Sequence, residues 1–211
     1  MDLTDRTSYA RYAALLKAEN PQVSLLINAA GFGKFCGTME VPYEENLNMC
    51  DLNCQAVMAM SQLSVPYMPA GSRIINFASV AADQPIPYIN VYGATKAFVL
   101  SFSRSLNVEL KSRGIRVMAI CPGWVKTEFF DHAFQTNGDN EVQYFNYVYE
   151  ADECVATGLK DLYKSRKDYS IHGLPVKLQV LGVKLLPHSI IMNIWLNQQK
   201  KPLHNQGLTT K

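Results

Sequence analysis

The sequence predicts an α/β fold, a parallel sheet flanked by helices, and three observations predict it. Short apolar runs of strand length alternate with longer amphipathic stretches. The clearest runs each lead into small or turn-forming residues: Asn28-Ala29-Ala30-Gly31, Ser79 and Pro122-Gly123. No internal repeat or low-complexity linker divides the 211 residues, so one domain is expected.

Taken in order, Thr4 and Asp5 stand where a helix cap belongs, before a stretch with Tyr9, Tyr12, Leu15 and Leu16 on one side. Val23 to Ile27 reads as a buried strand. A helix is expected from Glu44 to Val65, stopped by Pro66. Arg73 to Ala78 is the second strand. A helix follows over Tyr92–Lys111, with Ala94, Ala97, Phe98, Ser101, Phe102 and Leu106 marking a packed face and Gly114 ending it. Ile115 to Ile120 is the third strand. Beyond an aromatic-rich segment, Phe129 to Tyr149, come a helix over Asp152–Ser165, a short strand at Tyr169–Ile171, and an amphipathic tail helix from Pro187 to Lys201.

Composition narrows the function classes. Apolar residues make up 48% and charged residues 18%, which suits a folded domain rather than a disordered chain. A net charge of +2 is too mild for a nucleic-acid binder, and no basic run with interleaved aromatics occurs. The five cysteines are scattered, with no CxxC pair and no histidine at ligand spacing, so neither a disulfide framework nor a metal site is expected. Reduced thiols in a cytoplasmic protein are the simpler reading. The start has no apolar signal core, and the most apolar stretch, Val176 to Leu196, is interrupted by Lys177, Gln179, Lys184, Pro187, His188 and Asn193.

The strongest chemical signal is Tyr92-Gly93-Ala94-Thr95-Lys96. Four residues apart on a helix, the phenol and the ammonium share a face. A neighbouring cation favours phenolate, which predicts a Tyr92 pKa drawn down toward working pH, as proton transfer to or from a carbonyl oxygen requires. Alone, such a pair is usually part of a solvated face. Here Ser79 follows a strand thirteen residues earlier, at the sheet end where parallel sheets bind ligands. Asn28 to Gly31 follows another strand, Asn53 falls in the helix between the two, and Pro122-Gly123 with Thr127 follows the third.

In that order, these residues resemble the short-chain dehydrogenase/reductase family. The resemblance runs from Asp2-Leu3 to about Ser170 and rests on Asn28-Ala29-Ala30-Gly31, Asn53, Ser79, the Tyr92/Lys96 pair and Pro122-Gly123-Trp124-Val125-Lys126-Thr127. It implies a Rossmann-like, doubly wound sheet and nicotinamide-dependent interconversion of a ketone and an alcohol. By position, Tyr92 would be the general acid/base and Ser79 would hold the substrate oxygen. Lys96 would meet the nicotinamide ribose and acidify Tyr92, and Asn53 would bend its helix and seat a water. The backbone of Asn28, Ala29, Ala30 and Gly31 would line the adenosine-ribose side. Pro122, Gly123, Val125 and Thr127 would lie by the nicotinamide, and Asp2 with Leu3 by the adenine. NADP is placed ahead of NAD, although the residues that choose between them have no counterpart here.

The family's opening units, with their TGxxxGxG turn, are also without a counterpart. Gly31, Gly33 and Gly37 form a glycine string, but in the loop after the strand, and are rejected as that fingerprint. Two strand–helix units and a third strand would need roughly 60 to 75 more residues. The expectation is a truncated sheet over 1–211, with a tail at about 187–201 and Val23 to Ile27 exposed as an open edge. A misplaced start and a true truncation are both open. The pocket walls are expected at Phe32–Phe35, Asp83–Tyr88 and Thr127–Tyr149, and their aromatic residues suit a bulky apolar ketone or secondary alcohol, or merely pack a lid. A homodimer or homotetramer through the helices of Asn53 and Tyr92 is implied, and membrane-surface docking by the tail is weighed as the minor reading. The rivals are a catalytically silent binding or assembly module and, less well matched, an epimerase or dehydratase.

Overall fold

Strands buried on both faces need near-continuous apolar sequence, and two runs here qualify. In the computed structural model, which describes residues 1–135 and 140–200, Arg73–Phe77 and Arg116–Ile120 are the central strands β2 and β3. Ile74, Ile75, Val117 and Met118 are almost completely buried there. Strand β1 (Leu25–Asn28) lies outside β2, and the two-residue β4 (Tyr169–Ser170) outside β3. All pairings are parallel, in the order β1-β2-β3-β4. Among the described residues no strand lies on the outer side of β1, and Ile27 is half exposed. Val23 falls short of the strand, its N–H donated instead to Tyr67 O at 2.9 Å.

Helices cover both faces. α1 spans Thr7–Glu19, α2 Tyr43–Cys50 and α3 Val57–Ser64. The N-cap of α1 is Arg6, which makes no side-chain cap bond, and one residue earlier the Asp5 carboxylate accepts the Thr7 N–H at 2.8 Å. Leu16 packs inward, but Leu15 is exposed, because only a narrow stripe of α1 meets α3. The helix expected over Glu44–Val65 is interrupted by a π-helical turn, Asp51–Ala56, centred near buried Asn53. α4 spans Asn90–Glu109. Its buried positions are Gly93, Thr95, Lys96, Val99 and Ser103, one step around from the face expected. Ala94, Phe98 and Ser101 are exposed, and Phe98 stacks on Phe102 at 5.9 Å. The sheet draws in the buried face because Ser103 and Lys96 bond to β2, and β2 is tied in turn to β1. Asn76 Nδ2 donates to Ser103 Oγ at 2.9 Å, and Asn28 Nδ2 donates to Asn76 Oδ1 at 2.8 Å.

The second half forms the side of the cleft. α5 (Phe129–Phe134), α6 (Ala151–Lys164), α7 (Leu174–Leu185) and α8 (His188–Gln199) follow β3 and flank β4. Leu162 of α6 fills one face of the sheet against Ile75 and Met118. Helix α7 was not expected as a separate element. It starts at Gly173, whose positive φ of 80° turns the chain into Leu174-Pro175, proline being welcome in a first helical turn. In α8, Ile191 and Trp195 are buried, whereas Ile190 and Ile194 stay about half exposed, so the four do not share one packed face. Position 201 of the expected tail helix, and 136–139 of the expected pocket wall, lie outside the described residues.

Candidate active site

The carboxyl ends of β1, β2 and β3 open into one cavity of about 1290 Å³. Ser79 reaches it because β2 ends in extended backbone, φ −170° and ψ 161°, before a tight turn over Val80–Asp83. Its hydroxyl accepts the Ala81 N–H at 3.1 Å, so the side chain caps that turn and is held in place. Tyr92 stands in the first turn of α4, beside Phe129 at 5.2 Å between ring centres. The residue before that turn, Ile89, follows Tyr88 in a left-handed conformation, φ 67°, which swings the chain into the helix.

Lys96, one turn further along, is buried and donates to the Phe77 carbonyl at the end of β2, 2.7 Å away. Burial lowers its pKa to about 8. The structure corrects the expectation that this ammonium acidifies Tyr92. Burial pushes the phenol up to about 12, although part of the residue stays open to the cleft. The Ser79 hydroxyl, hydrogen-bonded to it, pulls the other way but does not prevail. Lys96 Nζ lies 5.5 Å from the ring centre, its charge engaged with a carbonyl instead.

Asn53 stands behind the pocket, fully buried. Its carboxamide accepts Phe32 N–H at 3.1 Å and donates to Phe32 O at 2.9 Å and Thr95 Oγ1 at 2.9 Å. Thr95 in turn donates to Tyr92 O at 2.7 Å. The π-helical turn presents Asn53 to the loop after β1. Thr95 was not singled out from sequence, and its only signal was a hydroxyl inside the Tyr92/Lys96 spacing. Gly33 was also missed: a Cβ there would stand 2.9 Å from the Tyr92 ring.

Of the other expected residues, Ala29, Gly31, Pro122, Gly123, Val125 and Thr127 line the cavity. The Pro122–Thr127 segment is held by Tyr149, which exchanges backbone bonds with Trp124 and Lys126 at 3.0 Å each. Asn28 does not line the cavity. Its side chain is spent on Asn76 and Ser61, leaving its backbone to mark the strand end. Ala30 is exposed beside it. Asp2 and Leu3 are not brought to the cavity either. Asp2 is fully exposed, its pKa lowered by the Thr4 N–H and hydroxyl it accepts, and Leu3 O accepts the Tyr9 hydroxyl at 2.8 Å.

The pocket wall differs from expectation. Phe35, Phe129 and Phe130 do face the cavity, but Phe32, Tyr88, Phe134, Tyr144 and Phe145 do not line it. Phe35, Phe130, Phe134, Phe145 and Trp124 pack against one another as a cluster, mostly edge-on or tilted, with Phe130 stacked on Phe134. Much of the lining comes instead from α7 and α8, through Leu174, Leu178, Val183, Ile191 and Trp195. Trp195 anchors α8 by donating to Pro87 O at 3.0 Å. No two of the five cysteines form a disulfide, and no cluster of three or more potential metal ligands occurs among the described residues.

The slot between the ends of β1 and β3 suits the nicotinamide end of a dinucleotide. Gly31 leaves it open, since a Cβ there would meet Asn53 Oδ1 at 2.8 Å and Lys96 Nζ at 3.3 Å. Among the described residues one hydrogen bond, to Phe77 O, engages the Lys96 ammonium, which has three donors. The fit is partial, because among the described residues no glycine-rich turn leads from a strand into a helix to receive a pyrophosphate.

A parallel α/β sheet with a serine, tyrosine and lysine meeting at its carboxyl end is the frame of a nucleotide-dependent oxidoreductase. The family described as short chain dehydrogenase matches residues 1–138. The NADP-dependent 3-hydroxy acid dehydrogenase YdfG of Escherichia coli is 30% identical over 195 residues, 89% of this chain and 74% of the relative. The very-long-chain 3-oxoacyl-CoA reductase-B of Danio rerio is 40% identical over 83 residues, 38% of this chain and 27% of that protein. Among solved structures, a short-chain dehydrogenase from Sphingobium yanoikuyae, complexed with NADPH, superposes with a TM-score of 0.70 at 29% identity, over 86% of this chain and 70% of that one. The chain belongs to the short-chain dehydrogenase/reductase family of nicotinamide-dependent oxidoreductases.

Proposed function

We propose that this chain is the catalytic portion of an NADP(H)-dependent reductase that interconverts a bulky apolar ketone and its secondary alcohol. One observation carries the reading: Ser79, Tyr92 and Lys96 converge on a single cavity at the carboxyl end of the sheet, walled mainly by apolar side chains. The NADPH held by the Sphingobium yanoikuyae relative and the NADP named for the Escherichia coli one support the choice of cofactor. The acyl chain in the Danio rerio relative's name agrees with an apolar wall.

The residues divide the work as follows. With a pKa near 12, Tyr92 is protonated at neutral pH and stands ready to give its proton to a carbonyl oxygen. The Ser79 hydroxyl donates to the same oxygen and steadies the charge that develops on it. Lys96 offers its remaining N–H donors to ribose hydroxyls. When bound, the dinucleotide supplies the hydride for the carbonyl carbon. Asn53 is a positioning residue that holds the loop after β1. The exposed Phe98 of α4 and Met58 of α3 support pairing of two copies through these helices.

A second reading, a silent binding or assembly module, is favoured by one observation: the described residues hold β1 at the sheet edge and no pyrophosphate turn. Titrating the chain with NADPH, followed by nicotinamide absorbance over a ketone panel, separates the two. Saturable binding and turnover that Tyr92→Phe lowers by about 10²–10⁴ support the reductase. Absence of nucleotide binding supports the module.

A further inference from the structure

Exposed leucines gather on one side of this molecule. Leu174, Leu178, Leu181 and Leu185 of α7 are 68%, 59%, 55% and 75% exposed, while Val176, Val180 and Val183 fill the opposite, buried face. The turn into α8 continues the patch, every residue from 184 to 190 being exposed. An apolar surface of this kind marks an interaction site.

The chain that forms α7 and α8 carries charge of one sign. No Asp or Glu follows Asp168, whereas Lys177, Lys184, Lys200, Lys201 and Lys211 do. Lys184 is paired with Asp83 at 3.1 Å, but Lys177 and Lys200 have no ion pair among the described residues. Glu128, the one acid among the described residues that line the cavity, belongs to the segment before α5. The exposed Glu150, Asp152 and Glu153 belong to the start of α6, whose Ala151, Cys154 and Val155 also line the cavity. The patch is also the cavity's mouth: Leu174, Leu178, Leu186 and Ile194 are exposed and line it at once. With 12 residues, α7 is too short to span a bilayer, and no helix among the described residues is long and apolar enough to do so.

We propose that the leucine face of α7 docks on an anionic lipid bilayer. The helix lies in the headgroup region, Lys177 meets an acidic headgroup, and the cavity mouth faces the acyl chains. Docking is independent of the chemistry at Tyr92; entry of an apolar substrate from the lipid rests on the reductase reading. The sequence places a membrane contact, as the minor reading, on the tail helix, because spacing alone does not show which α7 residues the domain covers.

Co-sedimentation tests this, with the full chain and phosphatidylcholine vesicles with or without phosphatidylserine. The chain is expected to pellet with the anionic vesicles and far less with the neutral ones. Leu181→Glu with Leu185→Glu, both outside the cavity lining, is expected to lower partitioning about a hundredfold with an unchanged melting temperature. Lys177→Glu, with every leucine in place, is expected to lower it about tenfold and keeps the test alive if the double variant does not fold. Tyr92→Phe is expected to pellet like the parent whether or not the reductase reading holds. Failure to pellet with anionic vesicles, equal pelleting with neutral ones, or equal pelleting of the leucine variant overturns the proposal. So does a dimer that the leucine variant disperses without any vesicle binding.

Discussion

Asn53 grips the backbone of Phe32 at both ends, accepting its N–H at 3.1 Å and donating to its carbonyl at 2.9 Å. The side chain is fully buried, and these bonds anchor the loop after β1 to the π-helical turn, and through Thr95 to the Tyr92 turn of α4. Asn53→Ala leaves buried polar groups unpaired and is expected to cost about 2–4 kcal/mol, read as a lower urea midpoint. A midpoint within experimental error of the parent would show the loop to be held elsewhere.

Lys96 makes stability depend on pH in a particular window. Its folded pKa of about 8 lies below its ordinary 10.5, so the unfolded chain binds the extra proton between the two. The contribution of Lys96 is present above the unfolded pKa and lost as pH falls through about 8. Relative to Lys96→Met, the parent is expected to gain about 2–3 kcal/mol as pH rises across that window. Tyr92 works oppositely, being raised from 10.0 to about 12, and its contribution disappears as pH climbs through the latter value. Parallel denaturation curves for parent and variant at both ends of the Lys96 window would contradict a buried ammonium.

Gly33 gives the Tyr92 ring its room. A methyl there would approach Cδ2 at 2.9 Å and Phe129 Cζ at 3.0 Å, both part of packed rings. Gly33→Ala is expected to cost about 1–3 kcal/mol and to displace the phenol from Ser79. Calorimetry reads the first effect and the phenol's titration the second; an unaltered titration would mean the ring does not move.

At the sheet edge, Ile27 is 50% exposed on β1, whose outer side no strand among the described residues covers. Ile27→Lys is expected to leave the melting temperature nearly unchanged while reducing self-association in light scattering, since a charge blocks edge-to-edge pairing. Undiminished scattering would place the sticky surface elsewhere.

Much of this protein was legible in its residues because local chemistry decided it. Continuous apolar runs made β2 and β3, the spacing of Tyr92 and Lys96 set them on one helix turn, and the turn after β2 could take Ser79 only to the sheet's end. What the sequence could not reveal depended on which surfaces meet. The face of α4 that packs inward, the reach of α7 and α8 over the cavity, and the gathering of Phe35, Phe130, Phe134, Phe145 and Trp124 into a cluster are all contacts between distant segments. The same reason explains Tyr92. Spacing announced a neighbouring ammonium, but only tertiary packing determined how far water is kept from the phenol and that the Lys96 charge goes to Phe77 O, so desolvation outweighs attraction.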